Sequence, residues 1–248
     1  MNWNPAKKAQ MLLLEPNVEC YEQKALGTGI IPIAGSARAG KSTLMLALVE
    51  WAVKHTQRSF YFVGVPDAYI EALPDHIRSK SSNPTMNELT TLRDGIVILD
   101  DTAVSMSSRD SATTQSRMIN RIAGVISHLG LTLILTTQSM AGIDLSLLRY
   151  TEMAPLVKRV DKMALRVERS EWTEEIKDAQ DELHRFNYDR SLYWSVADEQ
   201  LCKHPFSEWM ASDVLSRPFR YLSQSELDSQ LFGENKTKQA RKKVSSGE

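Results

Sequence analysis

A chain of 248 residues, with 42% apolar and 25% charged residues, is long enough to bury a sizeable core and has the make-up of an ordinary globular domain. Its formal net charge of −1 excludes wholesale electrostatic attraction to nucleic acid, so binding of that kind needs a local basic patch. Cys20 and Cys202 have no metal-ligand spacing around them, and no apolar run approaches the roughly 20 residues of a membrane span. Met1-Asn2-Trp3-Asn4-Pro5 lacks a basic head followed by an apolar stretch. The expectation is a soluble intracellular protein with reduced thiols.

Residues 1–28 read as a lead-in segment, with a short helix over Ala6–Leu14 that Pro16 ends. The apolar run Ile30-Ile31-Pro32-Ile33-Ala34 then predicts a buried parallel strand. It leads into Gly35-Ser36-Ala37-Arg38-Ala39-Gly40-Lys41-Ser42-Thr43, which has the G-x-x-x-x-G-K-S spacing of a phosphate-binding loop, Walker A. Glycines let the backbone curl so that several N–H groups face one anion, and the helix that follows adds its own unpaired N–H groups. Lys41 reaches the outer phosphates of ATP, and the Ser42 hydroxyl joins the shell of a Mg²⁺ ion. The helix is predicted from Thr43 to about His55, with Leu44, Leu48, Trp51 and Ala52 as its core-facing stripe.

Ser59–Val65, aromatic and β-branched, predicts a second strand, and Pro66-Asp67 closes it. Residues 75–88, with Pro74 just before them and Pro84 and a serine pair among them, read as a partly mobile connection. Gly95-Ile96-Val97-Ile98-Leu99-Asp100-Asp101 is a buried strand ending in two carboxylates, the Walker B pattern. A carboxylate at such a tip faces the crevice where α/β sheets bind ligands. Asp100 is the candidate Mg²⁺ holder, directly or through water, and Asp101 the group that orients or activates the attacking water.

A long helix is predicted between Asp110 and Leu129, with an apolar stripe from Met118 to Leu129 and Arg117 and Arg121 sharing another face. Leu131–Thr137 is a further buried strand whose tip, Gln138, can hydrogen-bond a γ-phosphate or the attacking water. A short strand near Leu156–Val160, an amphipathic helix over Glu171–Phe186, a strand over Leu192–Val196 and short helices around Glu208–Ser216 and Gln224–Leu231 complete the expected domain over 29–232, its helical additions beginning at about 161. Residues 233–248, with Lys236, Lys238, Arg241, Lys242 and Lys243, read as a disordered basic tail.

The order of these elements predicts an α/β, RecA-like P-loop core of the additional-strand type, with a mostly parallel central sheet flanked by helices. No guanine-recognition signature of a small GTPase is present on a later strand. The Walker A stretch, Ile96–Asp101, the strand ending in Gln138, and the spacing onward through Ile143-Asp144 and Leu147-Leu148-Arg149 to Leu156 resemble the FtsK/HerA superfamily, particularly the genome-packaging ATPases of membrane-containing viruses. The likeness covers about residues 28–160. Two positions depart from it: many relatives end Walker B in Asp-Glu rather than Asp100-Asp101, and many carry an arginine in the turn that is Ser127-His128-Leu129-Gly130 here.

What the resemblance implies is an ATP-hydrolysing ring motor, hexameric or pentameric, that draws double-stranded DNA through its centre and packages a viral genome into a preformed capsid. It implies a place in the host cytoplasm or on the virion, beside capsid or membrane vertex proteins. It also implies an arginine given in trans to the neighbouring nucleotide. Arg149 is the first candidate, with Arg109, Arg117, Arg121 and Arg166 as alternatives. Three other readings stay open: a conjugation or chromosome-handling motor of the same superfamily, a nucleotide-gated assembly protein that moves nothing, and a P-loop kinase that transfers phosphate to a small acceptor.

Overall fold

The computed structural model describes residues 27–100, 124–138, 155–161, 165, 170–185, 189–211 and 213–233. Residues 1–26 of the lead-in segment, residues 110–123 of the predicted Asp110–Leu129 helix, Ile143-Asp144, Leu147-Leu148 and the basic tail from 234 onward lie outside the described residues.

Three strands form the centre of the sheet: β1 (Gly29–Ala34), β4 (Gly95–Leu99) and β5 (Thr132–Thr137). The first two are buried at every position, which matches their unbroken apolar runs, since strands covered on both faces need no alternation. On one side the sheet continues through β2 (Ser59–Phe62) to β3 (Ser81–Ser82); on the other it passes through β6 (Leu156–Val157) to the hairpin of β7 (Leu192–Ser195) and β8 (Gln200–Lys203). The order is β3-β2-β4-β5-β1-β6-β7-β8. All pairings from β3 to β6 are parallel, and those of β6 with β7 and β7 with β8 are antiparallel.

β5 is the strand that separates β1 from β4, pairing Ile31 with Ile134 on one side and Ile98 with Ile134 on the other. The Ser59 strand precedes β4 in the chain but lies on its far side in space. β2 is also shorter than Ser59–Val65: Val63 N still donates to Ile98 O at 3.0 Å, and Gly64, at φ 73, then turns the chain away.

Residues 75–88, expected as a mobile connection, hold structure instead. Helix α3 (Asp75–Arg78) follows α2 (Asp67–Glu71), β3 adds an edge strand, and a 3-10 helix spans Met86–Thr91. Ile77, Met86 and Leu89 are buried anchors, and Thr85 and Glu88 form a capping box in which Thr85 N donates to Glu88 Oε2 at 2.7 Å.

Helix α1 (Lys41–His55) buries more than the single predicted stripe, because Met45, Leu46, Ala47 and Val49 are covered as well. The C-terminal segment packs over its outer side, where Ser207 Oγ donates to Glu50 Oε2 at 3.1 Å. Helix α4 (Ser170–Arg185) turns Ile176, Ala179 and Leu183 inward, as its periodicity predicts. Helices α5 (Asp213–Arg220) and α6 (Gln224–Phe232) close the described chain, α6 being started by a Ser223–Glu226 capping box.

At the opposite edge from the loops, the Arg58 guanidinium donates to Thr132 Oγ1 at 2.7 Å and to the carbonyls of Gly95 and Gly130 at 2.6 Å each. The starts of β4 and β5 are thus tied to the residue that precedes β2. Cys202 is buried, its thiol donating to Gln200 O at 3.8 Å, and no helix among the described residues is long and apolar enough to cross a membrane.

Candidate functional site

Carbonyl ends of parallel strands share one edge of a sheet, and β1, β4 and β5 bring their following residues to that edge. Gly35 N continues the ladder by donating to Thr137 O at 3.1 Å. The chain then departs in a tight curl: Ala39 N donates to Ser36 O at 3.2 Å, Arg38 takes a left-handed φ of 62, and Gly40 follows at 91. Ala37 and Arg38 are exposed on the crest, whereas Ser36 and Ala39 are buried.

Gly40 is the N-cap of α1 and supplies no side-chain cap, and the first turn holds no acidic residue. The N–H groups and positive dipole end of that turn are therefore available to an external anion. Neighbouring chain explains both glycines. A Cβ at Gly35 would stand 2.7 Å from the Cβ of Lys158, and one at Gly40 would stand 3.0 Å from Arg190 O. Segment 158–161 grips the loop directly, because Ser36 N donates to Arg159 O at 2.9 Å and Asp161 N donates to Ser36 Oγ at 2.7 Å.

Lys41 is 7% exposed, and its ammonium donates to Ser36 O at 3.2 Å. Across the cleft, Asp100 accepts from Thr136 Oγ1 at 2.8 Å, so the intervening β5 orients the carboxylate at the β4 tip. Gln138, exposed at the end of β5, faces the same opening. Arg38, Gly40, Lys41, Ser42, Thr43, Asp100 and Gln138 all line one cleft of about 470 Å³. Loop, carboxylate and glutamine, distant in sequence, converge on that space. Asp101, Arg149 and the alternative arginines Arg109, Arg117, Arg121 and Arg166 lie outside the described residues.

The cleft has walls that local sequence did not reveal. Tyr69 of α2 is buried beside it, its ring tilted on Phe62 at 5.7 Å and edge-on to Phe219 of α5 at 5.8 Å. Burial first, and the charge of Asp100 second, push its phenol well above the ordinary range, so it keeps its proton. Arg190, Asp213 and Ser216 also line the opening. No motif announces these residues: α5 is brought over the cleft by its packing on α2.

Behind the loop lies a second group missed from sequence. Lys158, just past β6, is 1% exposed, and its ammonium donates to Arg190 O at 2.6 Å and to Leu192 O at 2.7 Å, with His204 Nε2 at 3.3 Å. Burial pushes its pKa down to about 7 against the attraction of Asp189. Burial, and then the Lys158 charge, hold His204 down at about 4, which leaves that imidazole neutral near pH 7.

The structure is an α/β P-loop fold of the RecA-like kind, in which an additional strand stands between the strand of the phosphate-binding loop and the strand of the acidic tip. No family model and no curated protein matches the sequence. Among solved structures, the cytoplasmic domain of the Thermomonospora curvata Type VII secretion ATPase EccC is similar at 13% identity and a TM-score of 0.52, covering 84% of this chain and 28% of its own. The DNA-packaging ATPase B204 of Sulfolobus turreted icosahedral virus is also similar, at 12% identity and a TM-score of 0.45, covering 73% of this chain and 98% of its own. At such identities the likeness is one of fold.

Proposed function

We propose that this chain is a Mg²⁺-dependent ATPase that, as a ring of its own copies, drives double-stranded DNA into a viral capsid. The observation that carries the ATPase reading is the meeting of Lys41, Asp100 and Gln138 around one cleft at the mouth of an uncapped helix. Loop amides and Lys41 hold the β- and γ-phosphates of ATP, with Ser42 and Asp100 positioned for the metal shell. A bound Mg²⁺ supplies charge neutralisation at the phosphates. Asp101 accepts the proton of the attacking water, Gln138 orients that water, and Arg149 of a neighbouring copy supports the charge of the transferring phosphoryl group.

DNA as cargo and packaging as the task are supported by the sequence resemblance to viral genome-packaging ATPases. The test is ATP hydrolysis by the purified chain with and without duplex DNA, with Lys41→Ala as the control. Expected results are hydrolysis in the wild type, its loss in Lys41→Ala, and stimulation by duplex DNA. Wild-type turnover in Lys41→Ala would falsify the site assignment. Turnover indifferent to DNA in a stable monomer would favour a nucleotide-gated assembly protein.

A further inference from the structure

The phosphate-binding loop has an inner face toward the cleft and an outer face packed on segment 158–161 and residues 190–192. Lys158 dominates that outer face. Its backbone N donates to Ala34 O at 2.7 Å, one residue before the loop begins. Its side chain then runs along the loop, with Cβ filling the space at Gly35 and Cε standing 3.4 Å from where a Cβ of Gly40 would be. The stem therefore touches both glycines that set the curl.

The ammonium at the end of that stem is fully partnered. Two N–H groups go to the carbonyls of Arg190 and Leu192. The third points at His204 Nε2, which also stands 3.2 Å from Arg190 O, while Nδ1 lies 2.8 Å from Pro205 O; with the imidazole proton on Nδ1, Nε2 accepts from the ammonium. Arg190 O, which takes one of these bonds, is also the atom that closes on Gly40. Gln180 of α4 completes the frame, accepting from Val160 N at 2.6 Å and donating to Lys158 O at 3.2 Å. Burying an ammonium costs several kcal/mol, roughly, unless its partners are complete, and an apolar side chain would fill the same volume without that cost.

We infer that Lys158 is a positioning residue for the phosphate-binding loop, bolting its outer face to the start of β7 and to His204 on the β7–β8 side so that the loop amides stay aimed at one anion before the nucleotide arrives. The inference rests on the reading of this loop as a nucleotide site. A loop already ordered does not charge its ordering entropy against binding. Loosening it weakens ground state and transition state alike, which raises KM and leaves kcat nearly unchanged.

Two measurements test this on the full chain. The first is hydrogen exchange of the Gly35–Lys41 amides without nucleotide, in wild type and Lys158→Met; it reads the bolt whether or not ATP is the ligand. The second is steady-state hydrolysis of Mg-ATP by the same proteins. The expected outcome is loop exchange about tenfold faster, no change at the β4 amides, KM raised about tenfold and kcat within about threefold. If Lys158→Met does not fold, His204→Leu carries the test, because it removes one of the three acceptors, and a smaller change in the same direction is expected. Loop exchange and KM both at wild-type values overturn the inference, as does a loss confined to kcat. A wild type that hydrolyses no ATP while loop exchange still rises in the variant removes the nucleotide reading and leaves the bolt standing.

Discussion

Two lysines flank the same loop, and their surroundings assign them opposite work. Lys41 on the inner face borders an open cleft, within reach of Ser36 O, and in the proposed function an incoming anion meets its ammonium there. Lys158 on the outer face has no such opening; carbonyls of Arg190 and Leu192 and the imidazole of His204 surround it. One charge is held beside space for a ligand and the other is spent inside the protein. Two residues of one chemical type are thus divided by what faces them, and that is a property of the fold.

The largest expected effect separates them. Lys41→Ala should lower ATP hydrolysis by about 10²-fold or more, since a lysine at the cleft contributes to transition-state charge.

A pH titration of stability probes the outer face. His204 has a folded pKa of about 4, below its ordinary 6.5, so the unfolded chain binds more protons between those values. The His204 contribution to stability is fully present above pH 6.5 and is lost as pH drops toward 4, by about 3 kcal/mol at about 1.4 kcal/mol per unit. The depressed Lys158 acts with the same sign in a higher window, stability rising from pH 7 to 10.5. Denaturant unfolding of wild type and His204→Gln at pH 4, 5 and 7 checks the lower window, and the variant should show a flatter profile.

Gly35→Ala tests the closeness of the two faces. Its added Cβ collides with the Lys158 Cβ, so a loss of about 1–3 kcal/mol and weaker nucleotide binding should appear together. Thermal unfolding and nucleotide titration measure both; a variant that binds normally would show that the loop tolerates displacement.

The smallest effect belongs to the Asp100 side. Thr136→Val removes the hydroxyl that orients the carboxylate, with an expected fall in kcat of about threefold to tenfold and a stability change of about 1 kcal/mol. A rate equal to wild type would mean that β5 does not steer Asp100.

Much of the central sheet was legible because unbroken apolar runs such as Ile30–Ala34 and Ile96–Leu99 announce strands buried on both faces. That the loop, Asp100 and Gln138 share one edge of the sheet was legible because each follows its strand at once along the chain. The reading of 75–88 as a connection failed because its anchors, Ile77, Met86 and Leu89, are too few and too widely spaced to form a periodic signal. Tyr69, Arg190 and the Lys158–His204 pair were illegible for another reason. Their partners stand on other elements, and 46 residues separate Lys158 from His204.

By itself, then, the sequence determined the phosphate-binding loop, the acidic strand tip and the α/β class, all of which rest on backbone rules acting over a few neighbouring residues. Tertiary structure alone decided that β5 stands between β1 and β4, that α5 walls the cleft, and that one buried lysine backs the loop while another fronts it. Those arrangements depend on which distant surfaces bury each other and on which carbonyls are left to satisfy a buried charge, and no local spacing records either.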